Sequence, residues 1–245
     1  IAPKLAVILV GDDKASKVYV KNKNKACEDV GIEFEEHILE AEITQKQLID
    51  LIEELNNRKD INGILLQSPI PAHLDINEAF RKIAPEKDVD GFNPVNVGKL
   101  SLNQDTFVSC TPYGIMKMFE EYKIDLEGKD VVIIGRSNIV GKPLIQCCLN
   151  KNATVTVCHS KTKDIKKYTK DADIIMVAVG KAKVLTDDMI KDGAVVIDVG
   201  INRNDDGKIT GDVDFENVSK KASYITPVPG GVGPMTIAML MNNVI

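Results

Sequence analysis

The run Val131-Val132-Ile133-Ile134, followed by Gly135-Arg136-Ser137-Asn138-Ile139-Val140-Gly141-Lys142-Pro143, constrains this chain more than any other stretch. Four β-branched apolar residues in a row suit a strand buried on both faces, the condition of a parallel sheet covered by helices. Gly135 and Gly141 let the backbone turn tightly and come close to a ligand, and Pro143 fits a first helical turn, where its missing N–H costs nothing. A strand, a glycine turn and a helix start in that order bring a helix N-terminus to a phosphate. The spacing is Gly-x5-Gly, neither GxGxxG nor the Gly-x4-Gly-Lys-Ser/Thr of a P-loop, so a purely structural strand-to-helix turn also meets it.

The strand that follows, Ala153 to Val157, runs into Cys158-His159-Ser160-Lys161-Thr162. An NAD-binding sheet places Asp or Glu there to hold the ribose 2′-hydroxyl. Here that position offers hydroxyls and a cation, and with Arg136 in the preceding turn the chemistry suits a 2′-phosphate, hence NADP. A solvated polar strand end is the plainer alternative. Two further strands, Ile174 to Val179 and Val195 to Val199, end at Gly180 and Gly200. Strands that end in glycine one after another point to a single long ligand lying across their carboxyl ends.

The first half alternates in the same way. Leu5 to Val10, Ile32 to Ile38 and Ile61 to Leu66 read as strands, and Ala15 to Val30, Gln45 to Arg58 and Ile76 to Ile83 as the helices after them. Gly31 stands where a helix wants its left-handed closing residue, and Thr44 with Gln47, and Asp75 with Glu78, have capping-box spacing. A turn-rich stretch from Pro85 to Cys110 leads to Thr111-Pro112, an N-cap and N1 pair opening a helix to about Tyr122. The expectation is two α/β domains with a cleft between them, the second a Rossmann-like doubly wound parallel sheet. Their expected extents are 1–115 completed by 234–245, and 116–233.

Composition narrows the function. The 245 residues are 44% apolar, enough for a real core, and a net charge of −5 argues against nucleic acid or an acidic membrane surface. No apolar run approaches a membrane span. Five cysteines without a CxxC pair favour reduced thiols and a cytoplasmic setting, and His37, His73 and His159 are too scattered for a metal. The chain opens on Ile1 rather than methionine, so a preceding segment, including any targeting peptide, is expected to lie outside it.

Four places offer chemistry. Tyr19 and Lys23 are four apart and share a helix face, whereas Lys21 and Lys25 lie on others, although lysine-rich helices are commonly just solvated. Gln67 sits immediately past an apolar strand in Leu65-Leu66-Gln67-Ser68-Pro69-Ile70-Pro71, as a functional or a loop-anchoring amide. Asp88 and Asp90 flank a valine in Pro85-Glu86-Lys87-Asp88-Val89-Asp90-Gly91, too few oxygens for calcium and suited to capping or substrate binding. Thr226 to Thr236 packs three prolines and three glycines into eleven residues, a loop stiff in places and open in others that suits lining a cofactor.

Taken in order, these motifs resemble the bifunctional methylenetetrahydrofolate dehydrogenase/cyclohydrolase family. The resemblance runs through Ser16-x-x-Tyr19-Val20-x-x-Lys23, Leu66 to Pro71, Pro85 to Gly91, Cys110-Thr111-Pro112, Gly135 to Gly141, Cys158-His159-Ser160 and Pro229 to Thr236. It implies NADP as cofactor, a folate substrate and a homodimer. It implies Lys23 as the catalytic lysine, Gln67 as its partner, Tyr19 stacked on the folate and Asp90 bonded to the pterin. Arg136, Ser137 and Ser160 would hold the 2′-phosphate and its surroundings, with Gly135, Ile139, Gly141, His159, Gly180, Gly200 and Ile201 along the rest of the cofactor. Gly230, Gly231, Pro234 and Thr236 would border the reacting rings. The family commonly has proline before Cys-Thr-Pro and a nonaromatic residue after it, where this chain has Ser109 and Tyr113. The rivals, a shikimate dehydrogenase-like enzyme and a silent nucleotide sensor, leave Tyr19, Lys23, Gln67 and Asp90 unexplained as a set.

Overall fold

Leu5 to Val10 is apolar on both faces and fully buried, and it forms the middle of a three-stranded parallel sheet. The computed structural model describes residues 2–203 and 207–245. The chain makes two compact units, Ile1–Cys110 with Ile237–Ile245, and Thr111–Thr236.

The first unit runs β1 (Lys4–Val10), α1 (Lys14–Val30), β2 (Glu33–Leu39), α2 (Gln45–Asn57), β3 (Gly63–Leu66), α3 (Ile76–Lys82) and α4 (Pro94–Ser101). The sheet order is β2-β1-β3, with Leu5 level with Phe34 on one side and Gly63 on the other. Successive strand side chains point to opposite faces, so β1 feeds two cores. Ala6, Ile8 and Val10 pack with Leu48, Ile52 and Leu55 of α2, while Leu5, Val7 and Leu9 pack with Val20 and Cys27 of α1 and with Leu240, Met241 and Val244 near the end of the chain.

Local signals set the boundaries. Gly31 closes α1 at φ 77, and Thr44 with Gln47 forms a reciprocal capping box at α2. At α3 the expected second box is one-sided. Asp75 accepts from Asn77 and Glu78 N–H, but its own N–H goes to Gln45 Oε1 at 2.9 Å, so a distant glutamine replaces Glu78. The stretch expected to be all turn also holds a helix, α4, capped by Asn93 with Pro94 at its first position.

The chain continues through the second unit with α5 (Cys110–Glu121), β4 (Asp130–Ile134), α6 (Gly141–Leu149), β5 (Thr154–Cys158), α7 (Lys166–Thr169), β6 (Ile174–Val177), β7 (Val195–Asp198), β8 (Asn202–Arg203), β9 (Ile209–Thr210), α8 (Phe215–Val218) and β10 (Tyr224–Ile225), and then α9 (Val232–Val244), which from Ile237 onward belongs to the first unit. Helix α5 starts at Cys110, so Thr111 is inside its first turn. Pro112 is tolerated there because first-turn N–H groups have no helical partner. The sheet is parallel with order β10-β7-β6-β4-β5. The chain leaves β4 toward β5 on one side and returns to β6 on the other, so the strand order reverses at β4, the switch point where open α/β sheets hold ligands. This is the doubly wound sheet expected from the sequence. One expected loop is shorter than read: residues from Val232 onward, including Gly233, Pro234 and Thr236, already belong to α9.

Among the described residues no helix is long and apolar enough to cross a membrane, and no group of three His, Cys, Asp or Glu is arranged to hold a metal.

Candidate functional site

In the first unit, α1 supplies one face and the ends of the buried strands supply its partners. Asp13 caps α1 by accepting from Ser16 N–H at 2.7 Å, which fixes the phase of the helix. Ser16, Tyr19 and Lys23 then follow at helical spacing. The Ser16 hydroxyl is buried with no hydrogen-bond partner, and the Tyr19 ring is 44% exposed. Lys23 Nζ donates to Gln67 Oε1 at 2.8 Å, while Gln67 Nε2 donates to the Ser68 carbonyl at 2.7 Å. The second bond orients the amide so that its oxygen faces the amine. Gln67 is buried because it directly follows β3, whose Gly63–Leu66 is buried throughout.

Asp90 and Cys110 complete the cluster. Burial pushes the Lys23 ammonium below its ordinary value, opposed by attraction to Asp90 and Cys110. Burial raises Asp90, opposed by Lys23 and by a hydrogen bond with Cys110. The result is an amine biased toward neutrality near a carboxyl biased the same way.

Two further residues support the Asp90 turn: Asp88, in the capping role its sequence position suggested, and Asn243, which the sequence did not single out. Asp88 is 1% exposed and accepts from Phe92 N–H (3.1 Å), Asn93 N–H (2.7 Å) and Asn96 Nδ2 (2.8 Å), fixing the turn that carries Asp90. Asn243, near the end of α9, donates to the carbonyls of Val89 (2.8 Å) and Val108 (3.2 Å), so one amide ties the Asp90 turn to the segment before Cys110. The only sequence signal for Asn243 is a polar residue among the apolar ones of that helix.

In the second unit the backbone does the shaping. Gly135 has φ 123, and a Cβ there would lie 2.3 Å from the Ala178 carbonyl oxygen; one on Gly141 would lie 2.5 Å from the Gly135 oxygen. Neither position admits a side chain. Ser137 Oγ accepts from Val140 and Gly141 N–H at 3.2 and 3.3 Å, closing the turn into α6. Arg136 and Ile139 are exposed beside it.

The β4–β5 register pairs Ile134 with Cys158, and Gly135 N–H donates to the Cys158 carbonyl at 2.9 Å. The turns bearing Arg136 and Ser160 therefore leave the sheet at the same edge. His159 N–H bonds to Thr162 Oγ1 at 3.0 Å, leaving Ser160 and Lys161 exposed. A cavity of about 440 Å³ opens here against His159, Lys161, Thr162, Lys163 and Lys167, with Asp164 at its wall. A bare backbone cradle, an exposed arginine and hydroxyls with no carboxylate at residues 158–162 fit a dinucleotide bearing a 2′-phosphate.

The remaining expected residues of this unit lie on three loops. Gly180 is exposed at φ 65, and Ile201 is 54% exposed. Gly200 is buried and its N–H donates to Asp198 Oδ1 at 3.0 Å. Gly230 is exposed at φ 98, and a Cβ on Gly231 would lie 2.4 Å from the Pro227 oxygen. Thr236 Oγ1 lies 2.9 Å from Thr111 Oγ1, so the two hydroxyls share a hydrogen bond, and Pro234 is exposed. The unusual Tyr113 lies with its ring 5.5 Å from the Lys117 ammonium, and Ser109 is buried.

Comparison with known proteins bears on both units. The family profile described as the tetrahydrofolate dehydrogenase/cyclohydrolase catalytic domain matches residues 1–90, and that of its NAD(P)-binding domain matches residues 109–245. Bifunctional protein FolD of Campylobacter hominis is 60% identical over 245 residues, covering 100% of this chain and 86% of its own. The crystal structure of the bifunctional FolD methylenetetrahydrofolate dehydrogenase/cyclohydrolase from Campylobacter jejuni is similar with a TM-score of 0.99 at 57% identity, covering 100% of this chain and 87% of its own. The Trypanosoma brucei methylenetetrahydrofolate dehydrogenase-cyclohydrolase, complexed with NADP cofactor and inhibitor, gives a TM-score of 0.94 at 39% identity, over 99% of this chain and 85% of its own.

Proposed function

The chain belongs to the tetrahydrofolate dehydrogenase/cyclohydrolase family, and from that premise we propose how its own residues divide the work. The protein oxidises 5,10-methylenetetrahydrofolate to 5,10-methenyltetrahydrofolate with NADP, then hydrolyses that product to 10-formyltetrahydrofolate. NADP, when bound, supplies the hydride acceptor of the first reaction.

In this reading residues 1–115 with 234–245 hold the folate and residues 116–233 the dinucleotide. Tyr19 stacks on the folate, Asp90 hydrogen-bonds the pterin, and Gly230, Gly231, Pro234 and Thr236 border the reacting rings. Arg136, Ser137 and Ser160 hold the 2′-phosphate. Gly135, Ile139, Gly141, His159, Gly180, Gly200 and Ile201 line the rest of the cofactor.

The first reaction asks little of acids and bases. A hydride leaves the one-carbon bridge, and the folate nitrogens spread the positive charge that remains, so the side chains contribute orientation. The second reaction is different. Water adds to the bridge carbon and loses one proton, leaving a hydroxyl on that carbon; the carbon–nitrogen bond then breaks as its nitrogen takes up a proton, and the hydroxyl releases its own proton to solvent to become the formyl oxygen. Lys23 serves both transfers: desolvation favours its neutral amine, which accepts the water proton, and the ammonium so formed returns it. Gln67 holds the amine in place throughout.

The observation that carries this assignment is the 2.8 Å bond from Lys23 to a glutamine 44 residues away, beside Asp90. The test is to mix the protein with methylenetetrahydrofolate and NADP and follow the methenyl absorbance. A rise followed by decay is expected, and no rise would refute the dehydrogenase reading. We further propose a cytoplasmic homodimer. Five free, buried cysteines are consistent with a reducing compartment, and β2 is an edge strand with Ile38 61% exposed, an edge a second copy can cover. Light scattering at micromolar concentration tests the assembly, with the monomer mass as the contrary result.

A further inference from the structure

We infer that Asp212 is a positioning residue for the cofactor, its carboxylate holding the loops after β6 and β7 in the shape that NADP binding needs. The inference rests on the reading that Gly180 and Ile201 meet NADP.

The carboxylate is fully buried and takes four hydrogen bonds. Oδ2 accepts from Val179 N–H at 2.7 Å and Gly180 N–H at 3.0 Å; Oδ1 accepts from Lys181 N–H at 2.8 Å and Asn202 Nδ2 at 2.9 Å. Three successive amides converging on one point make the kind of concavity that binds an anion. Here the anion belongs to the chain itself, more than thirty residues further on. The amides of this loop are therefore committed internally, and what the loop presents outward is the exposed residues Val179 and Gly180. The Asn202 bond fixes the residue that follows the exposed Ile201.

A second carboxylate lies beneath the first. Asp198, the last residue of β7, accepts from Gly200, Asp212 and Val213 N–H at 3.0, 2.9 and 3.0 Å, and its own N–H donates to Thr226 Oγ1 at 2.8 Å. Thr226 opens the loop that leads to Gly230 and Gly231. Two glycines record how tightly the frame is built: a Cβ on Gly200 would lie 2.1 Å from Asp212 Cγ, and one on Gly211 would lie 1.9 Å from Asp198 Oδ2. Gly200 is thus bare because a carboxylate occupies the space a side chain would need. The bonds of Asp212 end on the segments that carry the expected cofactor residues, which distinguishes it from a carboxylate that only caps a helix.

All four partners of Asp212 are donors, so an amide of the same shape turns its NH2 toward two of them and satisfies at most two. Asp212→Asn in the intact protein should raise the NADP Kd, measured by calorimetry, and the KM for NADP roughly tenfold or more. Hydrolysis of supplied methenyltetrahydrofolate uses no NADP, and its proposed proton-transfer groups lie in the other unit. Its turnover and the KM for methylenetetrahydrofolate should stay within about twofold, a split that general loss of folded protein does not give. Asn202→Ala removes one bond of the four and should raise the NADP Kd about two- to fivefold; it decides the matter if Asp212→Asn fails to fold. NADP affinity unchanged in the variants that fold, or hydrolysis and NADP binding falling together in Asn202→Ala, would overturn the inference. Arg136→Ala separates the two levels. Weakened NADP binding there beside unchanged binding in Asp212→Asn sinks this inference alone, whereas no weakening in Arg136→Ala sinks the cofactor reading beneath it.

Discussion

The turn after β3 and the turn after β4 both leave a buried parallel strand at its carboxyl end, yet they deliver different things. The first delivers a side chain: Gln67, buried, with its amide oriented by Ser68 and its oxygen on the Lys23 amine. The second delivers backbone, made possible by two glycines that admit no Cβ, with an exposed charge, Arg136, at its rim. Proton transfer needs one group at one place with a tuned pKa, so it is built from interlocked side chains. Holding a long dinucleotide needs shape over many atoms, so it is built from main chain. The difference predicts that substitutions in the first region change chemistry, while those in the second change affinity or the fold.

The largest effect on stability is expected at Gly135→Ala. Its positive φ costs about 1–3 kcal/mol and the overlap with Ala178 a similar amount, so roughly 2–6 kcal/mol should be lost in urea unfolding, together with NADP binding. Parent-like stability would mean that the turn relaxes easily and that the contrast between the regions is too sharp. Arg136→Ala comes next. It should weaken NADP by about 1.5–3 kcal/mol and leave NAD nearly unaffected. Equal losses for both cofactors would show that the arginine does not read the 2′-phosphate.

Asn243→Ala sharpens the comparison from the other side. Two carbonyls around the Asp90 turn lose their donor, so about 1–2 kcal/mol of folate affinity should go while NADP affinity persists. Folate affinity equal to the parent's would leave Asn243 as mere packing. The smallest effect concerns pH. Burial pushes the Asp88 carboxyl up to about 6 despite hydrogen bonds from Asn93, Asn96 and Phe92. The folded chain then holds this proton more tightly than the unfolded one, so the group's contribution to stability is full below about pH 4 and fades as pH rises through 6. Asp88→Asn should flatten that slope in unfolding measurements across the window, and an unchanged slope would assign it to other groups.

The two regions were also unequally readable. The apolar runs of β1 and β4 and the glycines after them identify the parallel sheets directly, because burial on both faces and tight turning each restrict residue type. Helix α4 was not readable as a helix: Val95, Asn96, Val97 and Gly98 are poor helix formers, and Asn93-Pro94 was its one local sign. Lys23 and Gln67 could be tied together only through the family resemblance, since no local pattern joins residues 44 apart. Asp198 and Asp212 were missed for another reason. Nearly all their partners are backbone N–H groups, which every residue but proline carries, so their only trace in the sequence is the pair of glycines at 200 and 211, the first of which was read as facing a ligand.

The claim that side chains of the first unit carry the proton chemistry, while hydride transfer needs only alignment, is tested most directly by one time course. Parent, Lys23→Met and Lys21→Met are each mixed with methylenetetrahydrofolate and saturating NADP, and the methenyl absorbance is followed. Methionine keeps the length of the lysine stem, and Lys21 lies on another face of α1. Absorbance should rise and then decay in the parent and in Lys21→Met. In Lys23→Met it should rise more slowly and then persist, with hydrolysis reduced by the roughly 10² to 10⁴-fold typical of a general acid–base group. Decay at the parent rate in Lys23→Met, or equal failure of Lys21→Met, would contradict the account.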